Sequence, residues 1–435
     1  MNRDPFLEAQ ARRVAEWKAA LIAEPELLDN TRSTENTLDR AANQPCERPA
    51  RLPEFPRAAW RGIFADYRQT MARATEASDA FHFATLWARC AVALGRRISF
   101  RYGMRLFPNA YLICYGPTGD RKTTATRKAS EIGSPFNVIH GGGSGEGLAD
   151  EFSSADSSQG FLLYAEEFSQ ILRPSRWEGS TLKPFLTQCF DCPDRYQMKF
   201  RKSPIKLDQP TPSLLAATTP DWFWQDFLAR DFQGGFGNRL FFFTGQRKPQ
   251  MPLPEAANLE GISRLIDALA TVESCEARLE PKAIELWTEF YGAWAAEESR
   301  RDPLLLAAVQ RIPAYVLKLA LVYAGAERTL PNITSDQLGA AILVGCYGET
   351  CAKELLSLQH AGTNPRKELE RLILTFVAAQ PGRTPTKRAI YRALWRHYAD
   401  TEAFHRAFDS LVRVGELFTR SASRGSVLVS TEPLE

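Results

Sequence analysis

The segment YLICYGPTGDRKTT, residues 111–124, combines residue types that hold phosphate groups. An apolar, strand-like run leads into Gly116, and Lys122 and Thr123 follow at the spacing of the G-x-x-x-x-G-K-[ST] pattern. In such a loop, backbone N–H groups and the lysine bind phosphates, and the hydroxyl binds Mg²⁺. We therefore expect ATP and Mg²⁺ as cofactors. The residues expected to bind them are Gly116, Gly119, Arg121, Lys122, Thr123 and Thr124.

Arg121 occupies the position where that pattern has a glycine. Its side chain should alter the curl of the loop, although an outward-pointing arginine is tolerable if its φ stays negative. The loop alone is equally compatible with a basic turn that begins a helix, because one imperfect motif is weak support.

Two adjacent acids, Glu166 and Glu167, follow the apolar run GFLLYA. At a strand tip, Glu166 would orient the water shell of Mg²⁺ and Glu167 would activate the attacking water. Residues 123–165 are enough for a helix, a strand and a helix, so we expect the acid-tipped strand to return beside the phosphate-loop strand. The alternative is a solvated acidic pair at a helix start.

Three further polar residues stand at the ends of apolar runs. Thr218 and Thr219 end PSLLAATT and would place the hydrolytic water, although threonines at strand ends also form turns and caps. Arg239 directly precedes the run LFFFTG and would stabilise the transition state in a neighbouring subunit as an arginine finger. The alternative for Arg239 is a surface arginine on a flexible loop.

The elements around these residues predict an α/β fold. Five short apolar runs alternate with helical or loop stretches between residues 110 and 245, namely AYLICY, FNVIH, GFLLYA, PSLLAATT and RLFFFTG. Crossovers of this length predict a parallel sheet covered on both faces. Residues 59–97 and 259–360 have helical spacing. The 435 residues, 44% of them hydrophobic, are enough for two to four domains.

The motifs LGRRISFRYGMRLFPNAYLICYGPTGDRKTT, GGGSGEGLADEF, LLYAEEFSQIL, ATTPDWF, GGFGNRLFFF and RIPAYVLKLALVYA occur in this order. Together they resemble the helicase-like P-loop ATPases of phages, plasmids and integrative elements, which are often fused to or encoded beside a primase. Relatives also use R-K-[GST] in place of G-K-[ST], which favours a working loop. The resemblance covers residues 60–355 and implies an AAA+ or RecA-like core, a hexameric ring, DNA as the track and a primase as a possible partner.

Two regions are basic enough to contact DNA. YQMKFRKSPIKLDQP predicts a β-hairpin that a ring helicase would project into its channel to hold single-stranded DNA, although a solvated basic loop has the same pattern. Residues 366–430 predict three helices and a hairpin, a winged helix for duplex DNA or a protein partner. The residues expected to contact DNA are Lys199, Arg201, Lys202, Lys206, Arg388, Arg392, Arg396, Arg406, Arg420 and Arg424.

The predicted order along the chain has five parts. They are an N-terminal helix and extended arm (1–58), a helical collar (59–105), a P-loop ATPase core (106–250), a helical lid (251–360) and a winged-helix domain (366–435). No run of about 18 apolar residues occurs, which predicts a cytoplasmic protein without a membrane partner. Cys189 and Cys192 form the only close cysteine pair and are expected to be plain buried thiols.

These features predict an ATP-dependent and Mg²⁺-dependent DNA helicase or translocase of a mobile genetic element that acts in replication as a ring. Two alternatives stay open. One is a replication initiator or DNA-bound scaffold with a weakly hydrolysing nucleotide site, and the other is an ATP-driven remodeler in phage defence.

Overall fold

The structure is a computed structural model that divides into two compact units, Met1–Leu356 and Ser357–Glu435. The residues that it describes are 52–133, 138–154, 160–176, 180–198, 204–361, 365–378, 384–395, 401–413, 416–421 and 427–431. The predicted N-terminal helix and most of the predicted arm therefore lie outside the described residues.

Helices and short strands alternate through most of the chain. The helices are α1 (Ile63–Met71), α2 (Asp79–Leu94), α3 (Lys122–Thr126), α4 (Gly145–Ser154), α5 (Ser169–Leu172), α6 (Leu182–Phe190), α7 (Pro220–Asp226), α8 (Ala229–Gln233), α9 (Glu260–Leu269), α10 (Pro281–Glu298), α11 (Pro303–Val309), α12 (Ile312–Ala326), α13 (Ser335–Ala361), α14 (Pro365–Ala378), α15 (Lys387–Ala393) and α16 (Thr401–Arg413). The strands are β1 (Ile98–Tyr102), β2 (Met104–Leu106), β3 (Tyr111–Tyr115), β4 (Val138–His140), β5 (Phe161–Ala165), β6 (Arg195–Met198), β7 (Ile205–Asp208), β8 (Pro212–Thr218), β9 (Phe241–Phe243), β10 (Cys275–Leu279), β11 (Asn332–Ile333), β12 (Phe418–Ser421) and β13 (Val427–Ser430).

A five-stranded parallel sheet of order β4-β5-β8-β3-β9 forms the centre of the first unit. Every residue of β3, β5 and β8 is buried, which explains why these strands are continuous apolar runs rather than alternating ones. The five strands predicted from the sequence are confirmed, as is their parallel arrangement. The result is a mixed α/β fold, compatible with a P-loop-like one.

The position of the acid-tipped strand differs from the prediction. β8 lies between β5 and β3, so the strand that ends before Glu166 is one strand away from the phosphate-loop strand. All seven residues of β8 are buried, whereas β4 is only partly buried. The longest fully buried strand therefore takes the centre of the sheet, where both of its faces are covered, and the partly exposed strand takes the edge.

Helix α2 belongs to the core of the first unit. All of its residues except Asp79 are buried, and the Ser78 side chain caps its first turn by accepting a hydrogen bond from the Ala80 N–H. The backbone N–H of Gly160, before β5, donates to the Val92 carbonyl at 3.1 Å. A side chain at residue 160 would meet the Val92 Cα at 3.2 Å, so glycine lets the strand approach this helix closely.

A second, smaller sheet has the order β11-β10-β1-β2. Two of its strands, β10 and β11, fall within residues 259–360, for which the helical prediction is therefore wrong in part. β10 pairs in parallel with β1, 177 residues earlier, from Ile98 opposite Cys275 to Phe100 opposite Ala277. Strands this short depend on their distant partners, so a local pattern does not identify them.

The predicted basic hairpin is present as two antiparallel strands. β6 pairs with β7 from Arg195 opposite Asp208 to Met198 opposite Ile205. Its tip, residues 199–203, lies outside the described residues.

The second unit contains α14, α15 and α16 and the antiparallel pair β12 and β13. Its helices and strands enclose an apolar core around Ile373, Ile390, Phe404, Leu411 and Val429. The amphipathic helices and the final hairpin expected from the sequence are present in its described residues.

One apolar stretch among the described residues, Pro303–Ala326, is long enough to cross a membrane. It covers α11 and α12, and 67% of its most apolar window is buried inside the chain, as is typical of core helices. Cys189 and Cys192 are free, buried thiols, as predicted.

Candidate functional site

The phosphate-loop segment joins the carboxyl end of β3 to the start of α3. The Gly116 N–H donates to the Thr218 carbonyl at 3.3 Å, which fixes the start of the segment to the end of the neighbouring strand β8. Gly119 then has φ +94°, a conformation that favours glycine. The segment therefore has the strand–loop–helix layout that the motif requires, although α3 is only five residues long.

Arg121 has the left-handed backbone conformation, with φ 57° and ψ 23°. The condition under which the sequence made an arginine tolerable here, a negative φ, is therefore not met. The loop keeps the curl that a glycine would provide, and a residue with a Cβ in this conformation costs roughly 1–2 kcal/mol. The strain identifies the position as one where the tertiary structure overrides the preference of the residue.

The Arg121 side chain points away from the loop interior and is 53% exposed. Its Nε lies 3.6 Å from Glu76 Oε2. Glu76 also accepts from the Met251 N–H at 2.7 Å and from Arg247, and these two groups lower the pKa of its carboxyl. Arg121 therefore leaves space for a ligand inside the loop.

The Lys122 ammonium is buried inside the loop. Its Nζ donates to the carbonyl oxygens of Gly116 and Pro117, each at 2.7 Å. A phosphate that entered the loop would offer charged acceptor oxygens, which hold an ammonium more strongly than carbonyls do. The geometry matches the role that the motif assigns to Lys122.

Asp120 places a carboxylate in the same loop, which the motif did not predict. The residue is 8% exposed, and a Cβ added at Gly116 would meet its Oδ2 at 2.9 Å. A side chain at position 116 would therefore require the Asp120 carboxylate to move. A negative charge here opposes the binding of a phosphate. An acidic residue within the motif was the feature of the sequence that could have indicated this.

Glu167 faces the loop from the end of β5. Burial raises the pKa of its carboxyl, and this is only partly offset by the Thr218 hydroxyl and by the positive charge of Lys122. Its Oε1 is buried, and no described residue donates a hydrogen bond to it. A carboxylate with a raised pKa and a free acceptor oxygen is suited to accept a proton.

Glu166 points elsewhere. It is 47% exposed and accepts from Arg127, with Nη2 at 2.8 Å and Nε at 3.0 Å from its Oε1. Of the two acids, Glu167 is the one that the structure brings to Lys122.

The two threonines that end β8 have different environments. Thr218 lies opposite Tyr115 in the sheet and is 1% exposed, with its hydroxyl near Glu167. Thr219 caps α7, because its Oγ1 accepts from the Trp222 N–H at 3.3 Å. Thr218 is therefore part of the cluster at the loop, and Thr219 performs the capping role that the sequence left open.

The loop and the strand ends beside it offer oxygen ligands of the kind that Mg²⁺ binds. Mg²⁺ is usually held by one or two carboxylates together with substrate phosphates and water. Thr123, in the first turn of α3, supplies a hydroxyl and Glu167 supplies a carboxylate, whereas Glu166 is paired with Arg127. No group of three or more His, Cys, Asp or Glu among the described residues forms a metal cage. The donor set therefore fits a metal that arrives with a nucleotide.

Arg239 lies at the opposite, amino edge of the sheet, before β9. Its guanidinium donates to Asp191 Oδ2 at 2.7 Å and to the Gly235 carbonyl at 2.6 Å, and its side chain is 9% exposed. Arg311 donates to the other oxygen of Asp191 at 3.2 Å. The position before the fifth strand is as predicted, but in this conformation the guanidinium is engaged within its own chain.

The remaining basic residues divide by whether the structure describes them. Lys206 is exposed on β7, and Arg388, Arg392, Arg406 and Arg420 are exposed in the second unit. Five other residues predicted to contact DNA lie outside the described residues, namely Lys199, Arg201, Lys202, Arg396 and Arg424.

The fold and the cluster at the carboxyl edge of its sheet are compatible with a P-loop-like α/β protein. Comparison of the chain with protein-family models and with curated proteins finds no match in either case.

Proposed function

We propose that this chain is a Mg²⁺-dependent ATPase that moves along or unwinds DNA as part of a mobile genetic element. The observation that carries the ATPase proposal is the meeting of Lys122, Glu167 and Thr218 at the carboxyl edge of a parallel sheet. These residues come from three separate segments, and phosphoryl transfer requires a cation, a base and a polar group at one place.

Each side chain has a distinct task in the proposed reaction. Lys122 would exchange the carbonyls of Gly116 and Pro117 for phosphate oxygens. Thr123 and Glu166, the latter once it leaves Arg127, would hold Mg²⁺, which would neutralise charge on the phosphates. Glu167 accepts a proton from water as the water oxygen attacks the terminal phosphorus, and the bond to ADP breaks. Its raised pKa makes it a stronger base than an exposed glutamate.

The DNA part of the proposal is supported by the motif order and by charge. The strands β6 and β7 lead to a basic tip, as a channel hairpin requires. In the second unit, three helices, a hairpin and a bridge between Thr386 and Leu428 support the assignment as a winged helix. Its residues 366–424 contain twelve Lys or Arg against six Asp or Glu, which favours contact with phosphates. We propose a hexameric ring in the cytoplasm, with a primase as a possible partner.

The test of this function is ATP hydrolysis by the full chain with and without DNA. A motor requires hydrolysis that DNA stimulates. The double variant Arg201→Ala, Lys202→Ala should weaken single-strand binding and reduce the slope of its salt dependence by about 0.7 per lost phosphate contact. Hydrolysis that DNA leaves unchanged, with normal single-strand binding by this variant, would contradict the motor.

A second candidate is a DNA-bound scaffold that binds nucleotide weakly, and Asp120 is the observation that favours it. Its carboxylate lies against Gly116, where it would repel phosphate. For a scaffold, we expect Asp120→Asn to tighten ATP binding several-fold without producing hydrolysis. Measurable turnover by the parent protein would favour the ATPase instead.

A further inference from the structure

A surface cleft of about 580 Å³ opens on the first unit, outside the phosphate loop. It lies between the exposed side of α1, the segment before it and the segment that follows β9. The cleft is lined by Arg57, Trp60, Ala65, Arg68, Gln69, Ala72, Asp79 and Lys248. Its size is within the range of small-molecule sites.

The polar part of the cleft is an ordered stack. The Arg68 guanidinium lies 5.2 Å from the centre of the Trp60 ring, and its Nε donates to Asp79 Oδ2 at 2.7 Å. Lys248 Nζ lies 2.5 Å from the other Asp79 oxygen. Because Asp79 holds Arg68 over Trp60, the two side chains form a layer onto which a flat ring can stack.

The charge of the cleft favours an anionic ligand. Three cations, Arg57, Arg68 and Lys248, line it together with one carboxylate, Asp79. A flat, negatively charged ligand therefore matches both the stack and the charge.

The cleft and the phosphate loop are neighbours. Glu76 is only three residues before Asp79, so their Cα atoms are at most about 10 Å apart, and the Glu76 carboxylate lies 3.6 Å from the Arg121 side chain of the loop. Further along α2, the Thr85 hydroxyl donates to the Ala125 carbonyl at 3.2 Å, in the helix that follows the loop. One nucleotide can therefore reach from the loop into the cleft.

We infer that this cleft holds the base and ribose of the nucleotide whose phosphates bind at Lys122. The inference rests on the proposed function. The base stacks on the layer formed by Arg68 and Trp60, and the cations of the cleft lie beside the ribose and the phosphate nearest to it. Base stacking on such groups is typically worth a several-fold to hundredfold change in affinity.

The test compares the binding of ATP with that of inorganic tripolyphosphate, which lacks base and ribose. In Arg68→Gln, ATP affinity should fall about tenfold while tripolyphosphate affinity changes little. Arg73→Gln is the matched control. It removes the same charge, but Arg73 is 81% exposed and does not line the cleft. Trp60→Phe, which keeps an aromatic ring in the stack, should retain most of the ATP affinity.

The outcomes separate this inference from the proposed function. If Arg68→Gln weakens both ligands equally, or neither, the cleft does not hold the base, whereas loss of both ligands in Lys122→Ala would still support the loop. If the parent protein binds neither ATP nor tripolyphosphate, the proposed function fails and the inference fails with it.

Discussion

At the carboxyl edge of the five-stranded sheet, Lys122 donates to two backbone carbonyls, and Glu167 keeps an oxygen to which no described residue donates. At the amino edge, Arg239 and Arg311 share the carboxylate of Asp191. The second set of charges forms ion pairs within the chain, whereas the first set includes a buried carboxylate oxygen with no donor among the described residues. This contrast distinguishes groups available to a ligand from groups that hold the chain together.

Lys318 is a further buried cation at the amino edge, and two of its bonds go to backbone carbonyls, as those of Lys122 do. Burial lowers the pKa of its ammonium to about 8, and its Nζ donates to the carbonyls of Phe107 at 2.9 Å and Asn109 at 3.1 Å. Its folded pKa is below the usual value, so its charged form costs stability, and that cost is relieved progressively as pH rises from about 8 to the usual pKa of a lysine. A buried cation can thus be structural, and a basic residue near a sheet edge is not by itself a functional one.

The largest expected effect is at the carboxyl edge. Lys122→Ala should abolish nucleotide binding, because no other described cation occupies the loop interior, and hydrolysis should disappear with it. Equilibrium binding of a fluorescent ATP analogue measures this directly. Lys282→Ala, an exposed lysine on α10, is the matched control and should bind normally. Hydrolysis that survives Lys122→Ala would remove the phosphate-loop assignment.

Arg239→Ala tests whether the amino edge is only structural. An arginine finger is worth about 10³-fold or more in turnover, so a role in a neighbouring subunit predicts normal ATP binding and lost hydrolysis. To act in this way, Arg239 must leave Asp191. If the pair of Arg239 with Asp191 is purely structural, Arg239→Ala should instead be less stable than the parent by about 3–5 kcal/mol. Its folded fraction should then hydrolyse ATP at the parent rate.

Mixing resolves the two interpretations of Arg239. Arg239→Ala and Lys122→Ala are each inactive alone if the finger acts in trans, but a mixed ring can place an intact Lys122 beside an intact Arg239, so activity should return. Asp191→Asn, which loosens Arg239 without removing it, should remain active. Background ATPase at every mixing ratio, with mixed assembly confirmed, would exclude action in trans.

Glu167→Gln should lower turnover by about 10²- to 10⁴-fold while ATP remains bound, because it removes the base and leaves the phosphate contacts.

Glu167→Gln should also stabilise the fold at neutral pH. The folded pKa of Glu167 is raised, so its contribution to stability is present at low pH and is lost as pH rises through that pKa. The gain in melting temperature should therefore vanish below about pH 4. A variant less stable than the parent at pH 7 would contradict the raised pKa.

The sequence predicted what depends on local pattern. Five strands were found because strands buried on both faces are continuous apolar runs. The position of β8 between β5 and β3 depends on which strand buries the most surface. The order of strands in the sheet cannot be predicted from a local sequence pattern. Likewise, Asp191 is 48 residues from Arg239, so the partner of that arginine appears only when the chain has folded.

The smallest expected effect concerns the strained backbone of the loop. Arg121→Gly and Arg121→Ala both remove the contact with Glu76, so their difference isolates the cost of a Cβ at φ 57°. The glycine variant should be more stable by about 1 kcal/mol, since the left-handed conformation costs roughly 1–2 kcal/mol and the greater freedom of an unfolded glycine offsets part of it. Urea unfolding of the two variants measures the difference. Hydrolysis should persist in Arg121→Gly, because Lys122 and Thr123 keep their places at the start of α3. An alanine variant as stable as the glycine variant would show that the loop relaxes when the arginine is removed, and the curl would then depend on Arg121 itself.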